Sequence, residues 1–217
     1  MEAFAEFWQS LDRAALLGVL LRLVAVLLCL TVHETAHGLS AYALGDPTAK
    51  SQHRLSLNPL HHIDWFGLAA MLIVGFGWAK PVPVDMRYFK NPKWGMAITA
   101  LAGPVSNLIF ALISLLFCKL ILLYSPDTAF WGWTFSFCRT LAEVNVGLGV
   151  FNLIPLSPLD GSKVLLALLP DEAYLKVMRY ERFGMPLLYL LVFAGALDGF
   201  LGRAVTAVFS GMVDLVF

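Results

Sequence analysis

The chain has 217 residues, 59% of them hydrophobic and 14% charged, and its formal net charge is zero. So much apolar surface exceeds what one soluble core of this size can hide, which makes a bilayer the natural solvent. The neutral balance removes any argument for a nucleic-acid partner, because a phosphate backbone is bound by a basic surface that the total does not supply.

The first long apolar run covers about residues 14–32 and continues helically through His33 and His37 until Gly45, Asp46 and Pro47 stop it. No small-residue cleavage site precedes His33, so the run is expected in the mature protein rather than as a signal peptide. Residues 66–79 are about half a dozen short of a span and include Gly67, Gly75 and Gly77, a pattern that suits a re-entrant hairpin or loop. Further spans are expected over residues 96–124 and 131–154, joined by the short SPDTAF connection, and over residues 184–201. Residues 203–217, flanked by Asp198 and Arg203, are expected as a helix lying on the outer surface.

The fold class predicted is an all-α membrane protein of about four transmembrane helices plus a re-entrant or short extended segment, forming a single domain over residues 1–217. Residues 48–57 and 78–85, the latter with a Pro-x-Pro, read as short strands or extended edges. Cys29, Cys118 and Cys138 lie far apart in apolar segments without CxxC spacing and read as small buried hydrophobes.

Basic residues fix the orientation. Lys50 and Arg54 precede the short apolar segment, Lys80, Arg87, Lys90 and Lys93 follow it, and Lys176, Arg179 and Arg182 precede the last span. All three loops therefore belong on the cytoplasmic side, with the N-terminus outside. Basic loops on both sides of residues 66–79 require that segment to enter and leave by one face.

At the cytoplasmic end of the first helix stands His33-Glu34-Thr35-Ala36-His37, an HExxH sequence. Residues four apart share a helix face, so both imidazoles can reach one cation while Glu34 reaches a water beside it. Ionisable groups in a span are costly and by default functional. A catalytic zinc needs a third protein ligand and an open position. His53, His61, His62 and several acids are candidates. Asp160 stands out because it ends the run Asn152-Leu-Ile-Pro155-Leu-Ser-Pro158-Leu-Asp160-Gly161. Two prolines break the helix there, and a broken helix at membrane depth is tolerated where it lines a cavity or is covered by protein.

HETAHGLSAYALGD, LNPLHHID, GWAKPVPV, AGPVSN and NLIPLSPLDG, in this order, span most of the chain. On these motifs it resembles the site-2 proteases, intramembrane zinc metalloproteases, in their small form without PDZ or CBS domains. The resemblance implies that His33, His37 and Asp160 bind one Zn2+ and that Glu34 is the general base and then the acid. It implies membrane-protein substrates cut in or near a transmembrane segment. With the topology above, it implies a multi-pass protein of the cell membrane with the active site toward the cytoplasm.

A tetrahedral oxyanion needs further donors, and the amides of Asn107 and Asn152 are candidates beside the alternative of interhelical hydrogen bonding. Gly103-Pro104 suits close helix approach. His62 reads as a partner or lining residue of the site or as a solvated loop histidine, and His53 and His61 as surface residues. Arg139 and Glu143, four apart, should pair, with Arg22 seeking the same carboxylate or a carbonyl. A metal-ion transporter and a non-catalytic membrane-helix-binding scaffold are the rival readings. Glu34 beside the first histidine, and the lack of repeated halves, favour the hydrolase.

Overall fold

A computed structural model of the chain describes residues 13–74, 77–180 and 183–217. Helix α1 runs Arg13–Ala43 and is built on an almost unbroken Leu/Val/Ala sequence. It stops at Gly45, whose φ of 106° only glycine adopts freely. The Gly45 N–H donates to Tyr42 O at 3.1 Å and the Asp46 N–H to Ala41 O at 2.9 Å, the paired bonds of a Schellman turn. One short helical turn, α2 (Thr48–Ser51), follows.

Helix α3 covers Trp65–Val74, its first turn tied by Asp64, whose Oδ1 accepts from the Gly67 N–H at 2.9 Å. The chain then comes back along α3. A Cβ at Gly67 would sit 2.1 Å from Trp78 O, and one at Gly77 would sit 2.1 Å from Gly67 O. The Lys80 N–H donates to His62 O at 2.9 Å, which joins the entry and exit limbs of the excursion. This is the hairpin expected of a re-entrant segment.

Helix α4 spans Pro92–Tyr124, α5 Ala129–Asn152, α6 Asp160–Ala167, α7 Asp171–Tyr180, α8 Gly184–Phe193 and α9 Asp198–Val216. Asn91 caps α4 by accepting from the Trp94 N–H, and Pro92 opens it where no N–H is needed. Helix α4 is central and packs along α1, α5, α6 and α9. One apolar cluster joins Ala25 and Cys29 of α1 to Leu141 of α5. The other joins Ala111 and Leu115 of α4, Ala142 and Val146 of α5 and Val216 of α9. The outer face of α4 exposes Val105, Ile109, Ile113, Leu116 and Leu120, a stripe at helical spacing that suits lipid.

Among the described residues, three helices are long and apolar enough to cross a membrane, covering Leu16–Ala43, Pro92–Tyr124 and Asp198–Val216. At about 1.5 Å per residue α5 has the length for a crossing, but Arg139, Glu143, Asn145 and Asn152 dilute its apolar character. As expected, the Arg139 Nε–H donates to Glu143 at 3.0 Å.

Three expectations are corrected. The span placed at 184–201 is divided at Gly195, whose φ is 66°, and its first part is the ten-residue α8. The tail expected on the outer surface is instead the long helix α9. Its Val205, Val208, Phe209, Met212 and Val213, three or four apart, pack on α4 and α5, and Asp198 begins that helix rather than ending a span. Nor is there a strand among the described residues. Residues 48–51 are helical, and residues 77–85 run without helix or turn. Pro81 and Pro83 lack the N–H groups of a ladder, and the Val82 and Asp85 amides are taken by carboxylates of α1 and its capping turn.

Candidate metal centre

Helix α1 carries His33 and His37 on one face, and α6 begins with Asp160. His33 Nε2 lies 3.1 Å from Asp160 Oδ2, His37 Nε2 lies 3.3 Å from it, and the two ring nitrogens are 3.0 Å apart. Both imidazoles are buried. Three close approaches create this cluster. A Cβ at Gly103 of α4 would fall 2.5 Å from His37 Nε2 and 2.6 Å from His33 Cε1, so the bare glycine backbone is the floor on which both rings rest. Gly161 lets α6 sit on the broken segment after α5, where a Cβ would meet Leu153 O at 2.2 Å. Gly184 likewise admits Ser157 O, 2.4 Å from its would-be Cβ. The two prolines and the glycine of NLIPLSPLDG thus turn the chain sharply enough to aim Asp160 back at α1.

The other ring nitrogens settle the tautomers. His37 Nδ1–H donates to Thr99 O at 2.8 Å, a carbonyl that can only accept. His33 Nδ1–H donates to Asn107 Oδ1 at 2.5 Å. Asn107 in turn donates through Nδ2 to Asn145 Oδ1 at 2.7 Å and to Cys29 O at 3.3 Å, and Asn145 Nδ2 donates to Leu141 O at 2.8 Å. The chain of donors runs in one direction across α1, α4 and α5, and leaves each neutral imidazole with its lone pair on Nε2.

Two lone pairs and a carboxylate oxygen then face one another. Asp160 Oδ2 is buried and accepts no hydrogen bond of ordinary geometry. Such a triad is repulsive unless a cation sits between its members. Ligands about 2.0–2.1 Å from a tetrahedral zinc would be roughly 3.3 Å apart, close to the separations above. Among the described residues these three are the group able to hold a metal, with ligand atoms within 4.8 Å of one another. The donor set fits zinc, and the hydrogen bonds to both Nδ1 atoms are of the kind that orient metal-binding histidines.

Glu34 is held separately: its Oε2 accepts from the Val82 N–H at 2.8 Å, leaving the second oxygen for another partner. Asn107 faces His33, with its NH2 committed to Asn145 and Cys29 O, so it does not offer a donor to an oxyanion. Asn152 turns its NH2 back to Leu148 O at 3.0 Å, one turn up its own helix. His62 is buried and donates through Nε2 to Ser56 O at 2.7 Å, which rules out the solvated reading. His53 and His61 are exposed, as expected.

Sequence reasoning missed Asn145, Thr99 and Asp46. An uncharged amide inside α5 was a usable signal for Asn145, since polar side chains in spans seek partners. Thr99 acts through its main-chain carbonyl and Asp46 through the path of residues 81–85, neither of which a residue pattern encodes.

Comparison with known proteins bears on this geometry. The family model described as Peptidase family M50 matches residues 117–195. The Bacillus subtilis (strain 168) protein named "Putative zinc metalloprotease YwhC" is 38% identical over 179 residues, covering 82% of this chain and 81% of its own. Two proteins named "Putative zinc metalloprotease Rip2" are each 28% identical. That of Mycolicibacterium smegmatis aligns over 83% of this chain and 70% of its own, and that of Mycobacterium tuberculosis over 88% and 74%. No solved structure matches the chain. The extent and identity of the Bacillus match, with a zinc-type donor triad buried among apolar helices, show that the chain belongs to peptidase family M50, the site-2 proteases, and is a membrane zinc metalloprotease.

Proposed function

We propose that the protein is an intramembrane endopeptidase that binds one zinc ion through His33, His37 and Asp160 and hydrolyses peptide bonds in or near transmembrane segments of membrane-protein substrates. The observation that carries this reading is the convergence of His33 Nε2, His37 Nε2 and Asp160 Oδ2, from helices far apart in sequence, with both Nδ1–H groups already spent. A metal transporter would gain nothing from the Glu34 carboxylate held beside them, and a non-catalytic scaffold would have no use for the triad.

When bound, zinc supplies the Lewis acidity that polarises a carbonyl and acidifies a water. The protein's own part is proton transfer and containment. Glu34, with Oε2 fixed by Val82, takes a proton from the attacking water on its free oxygen as the oxygen–carbon bond forms. It then gives that proton to the amine as the carbon–nitrogen bond breaks. The sealed imidazole partners keep the ligand nitrogens deprotonated throughout.

A cavity of about 560 Å³ supports a substrate from the membrane side. It lies between α1, α5 and the hairpin, and its walls include Leu27 and Leu30 of α1, Leu148 and Phe151 of α5, and Met71 and Trp78 of the hairpin. Its lining does not include His33, Glu34, His37 or Asp160, and it approaches them through Leu30, about one helical turn before His33. The basic loops support an active site toward the cytoplasm in the cell membrane, and α1, α4 and α5 around one site support a single domain.

The test incubates purified protein in detergent with a panel of single-span reporter proteins, comparing wild type, Glu34→Gln and chelated protein. Cleavage by wild type alone, restored to the chelated sample by zinc, is expected. Equal cleavage by all three would overturn the reading.

A further inference from the structure

The Pro81–Asp85 segment hangs from α1 at two points. At one, the Val82 N–H donates to Glu34 Oε2 at 2.8 Å. At the other, the Asp85 N–H donates to Asp46 Oδ2 at 2.7 Å. Asp46 is wholly buried, and its second oxygen accepts from the Thr48 N–H at 2.9 Å and the Thr48 hydroxyl at 2.5 Å. A buried carboxylate is costly unless hydrogen-bonded, and this one divides its bonds between Thr48 at the start of α2 and the Asp85 N–H of the segment that meets Glu34. The prolines on either side of Val82 restrict the backbone there. The missing Cβ of Gly38, one turn past Glu34, leaves room for Leu55, whose Cδ2 lies 2.4 Å from that position, and for Val82, whose Cγ1 lies 3.1 Å from it. Beyond Asp85 a single 3-10 turn, Met86–Tyr88, is capped by the Asp85 side chain. Arg87, in bonding that carboxyl, holds its pKa down to about 2, so the end of the segment stays charged at working pH.

A glutamate at the end of a span has three side-chain torsions and every incentive to reach for water. A base must instead stay within hydrogen-bond reach of the proton it takes. We propose that Asp46 and the Val82 N–H are positioning groups for Glu34: Asp46 fixes the Pro81–Asp85 segment to the end of α1, and the Val82 amide fixes which carboxylate oxygen faces the reacting water. The inference rests on Glu34 being the base. It also gives the re-entrant hairpin a task apart from substrate contact, since its return limb ends in the amide that grips Glu34.

Two variants test it without touching a metal-binding side chain. Asp46→Asn replaces one acceptor oxygen with a donor. Replacing Val82 by its α-hydroxy analogue converts the amide to an ester and removes the N–H while keeping the side chain. With a single-span reporter, each is expected to lower kcat by roughly tenfold or more, with KM and bound zinc unchanged. The two changes combined should cost little more than the larger alone, because both act through one segment. In zinc-free protein, Glu34→Ala should speed hydrogen exchange of the Val82 amide by about tenfold or more, and Asp46→Ala should do the same for Asp85. A kcat unaffected by the ester, or falling only in step with zinc content, would overturn the proposal. Full activity in Glu34→Gln would remove the base assignment itself, a separate failure read from a separate protein.

Discussion

Replacing Asn145 by leucine should weaken zinc binding although the residue lies beyond reach of the metal. Asn145 Oδ1 accepts one of the two hydrogens of the Asn107 NH2 at 2.7 Å, while Cys29 O receives the other at 3.3 Å. Without Asn145 the Asn107 amide loses the partner that dictates which of its ends faces His33. Turned over, it would present NH2 to His33 Nδ1. That nitrogen would then have to accept, and the ring proton would move to Nε2, the atom that should carry the lone pair. Loss of such outer partners typically costs about 10- to 100-fold in metal affinity, or roughly 1.4–2.7 kcal/mol. The interhelical bond itself is worth only about 0.6 kcal/mol to folding, so affinity should fall well before the fold does. Zinc affinity measured against a chromophoric chelator in detergent reads the effect, with Asn145→Asp as the variant that keeps an acceptor. Wild-type affinity in Asn145→Leu would refute the reasoning.

Gly103→Ala places a methyl 2.5 Å from His37 Nε2 and 2.6 Å from His33 Cε1, and is expected to abolish stoichiometric zinc binding, measured by metal analysis of the purified protein. Gly67→Ala would drive a methyl into Trp78 O and push the hairpin limbs apart. Reporter cleavage should fall while zinc content holds, because the metal-binding residues lie elsewhere. Gly195→Ala, at a φ of 66°, should destabilise the α8–α9 turn by about 1 kcal/mol, read as a lower unfolding midpoint with activity retained below it.

The parts of this molecule legible in its sequence were those set by local chemistry. The HExxH spacing put two imidazoles on one face, the glycines and short length of residues 66–79 pointed to a hairpin, and the broken helix before Asp160 pointed to a site. Less legible was whatever depends on packing between segments. Nothing local tells Asn107 to face His33 instead of a substrate, because an amide can serve either purpose until its neighbours are known. Asp198 and Arg203 looked like the end of a span because charge was weighed without the apolar stripe from Val205 to Val216. The Pro-x-Pro segment kept its open backbone but found side-chain carboxylates instead of a neighbouring strand, a choice made by Glu34 and Asp46 across the fold.

The donors of the metal centre are divided between the two ends of the polypeptide's history. His33 and His37 leave the ribosome well before Asp160, which follows only after α4 and α5 have been made. A nascent chain therefore holds a histidine pair with no carboxylate to complete it. On the proposed reading the donor triad is complete only once α6 has docked beside α1.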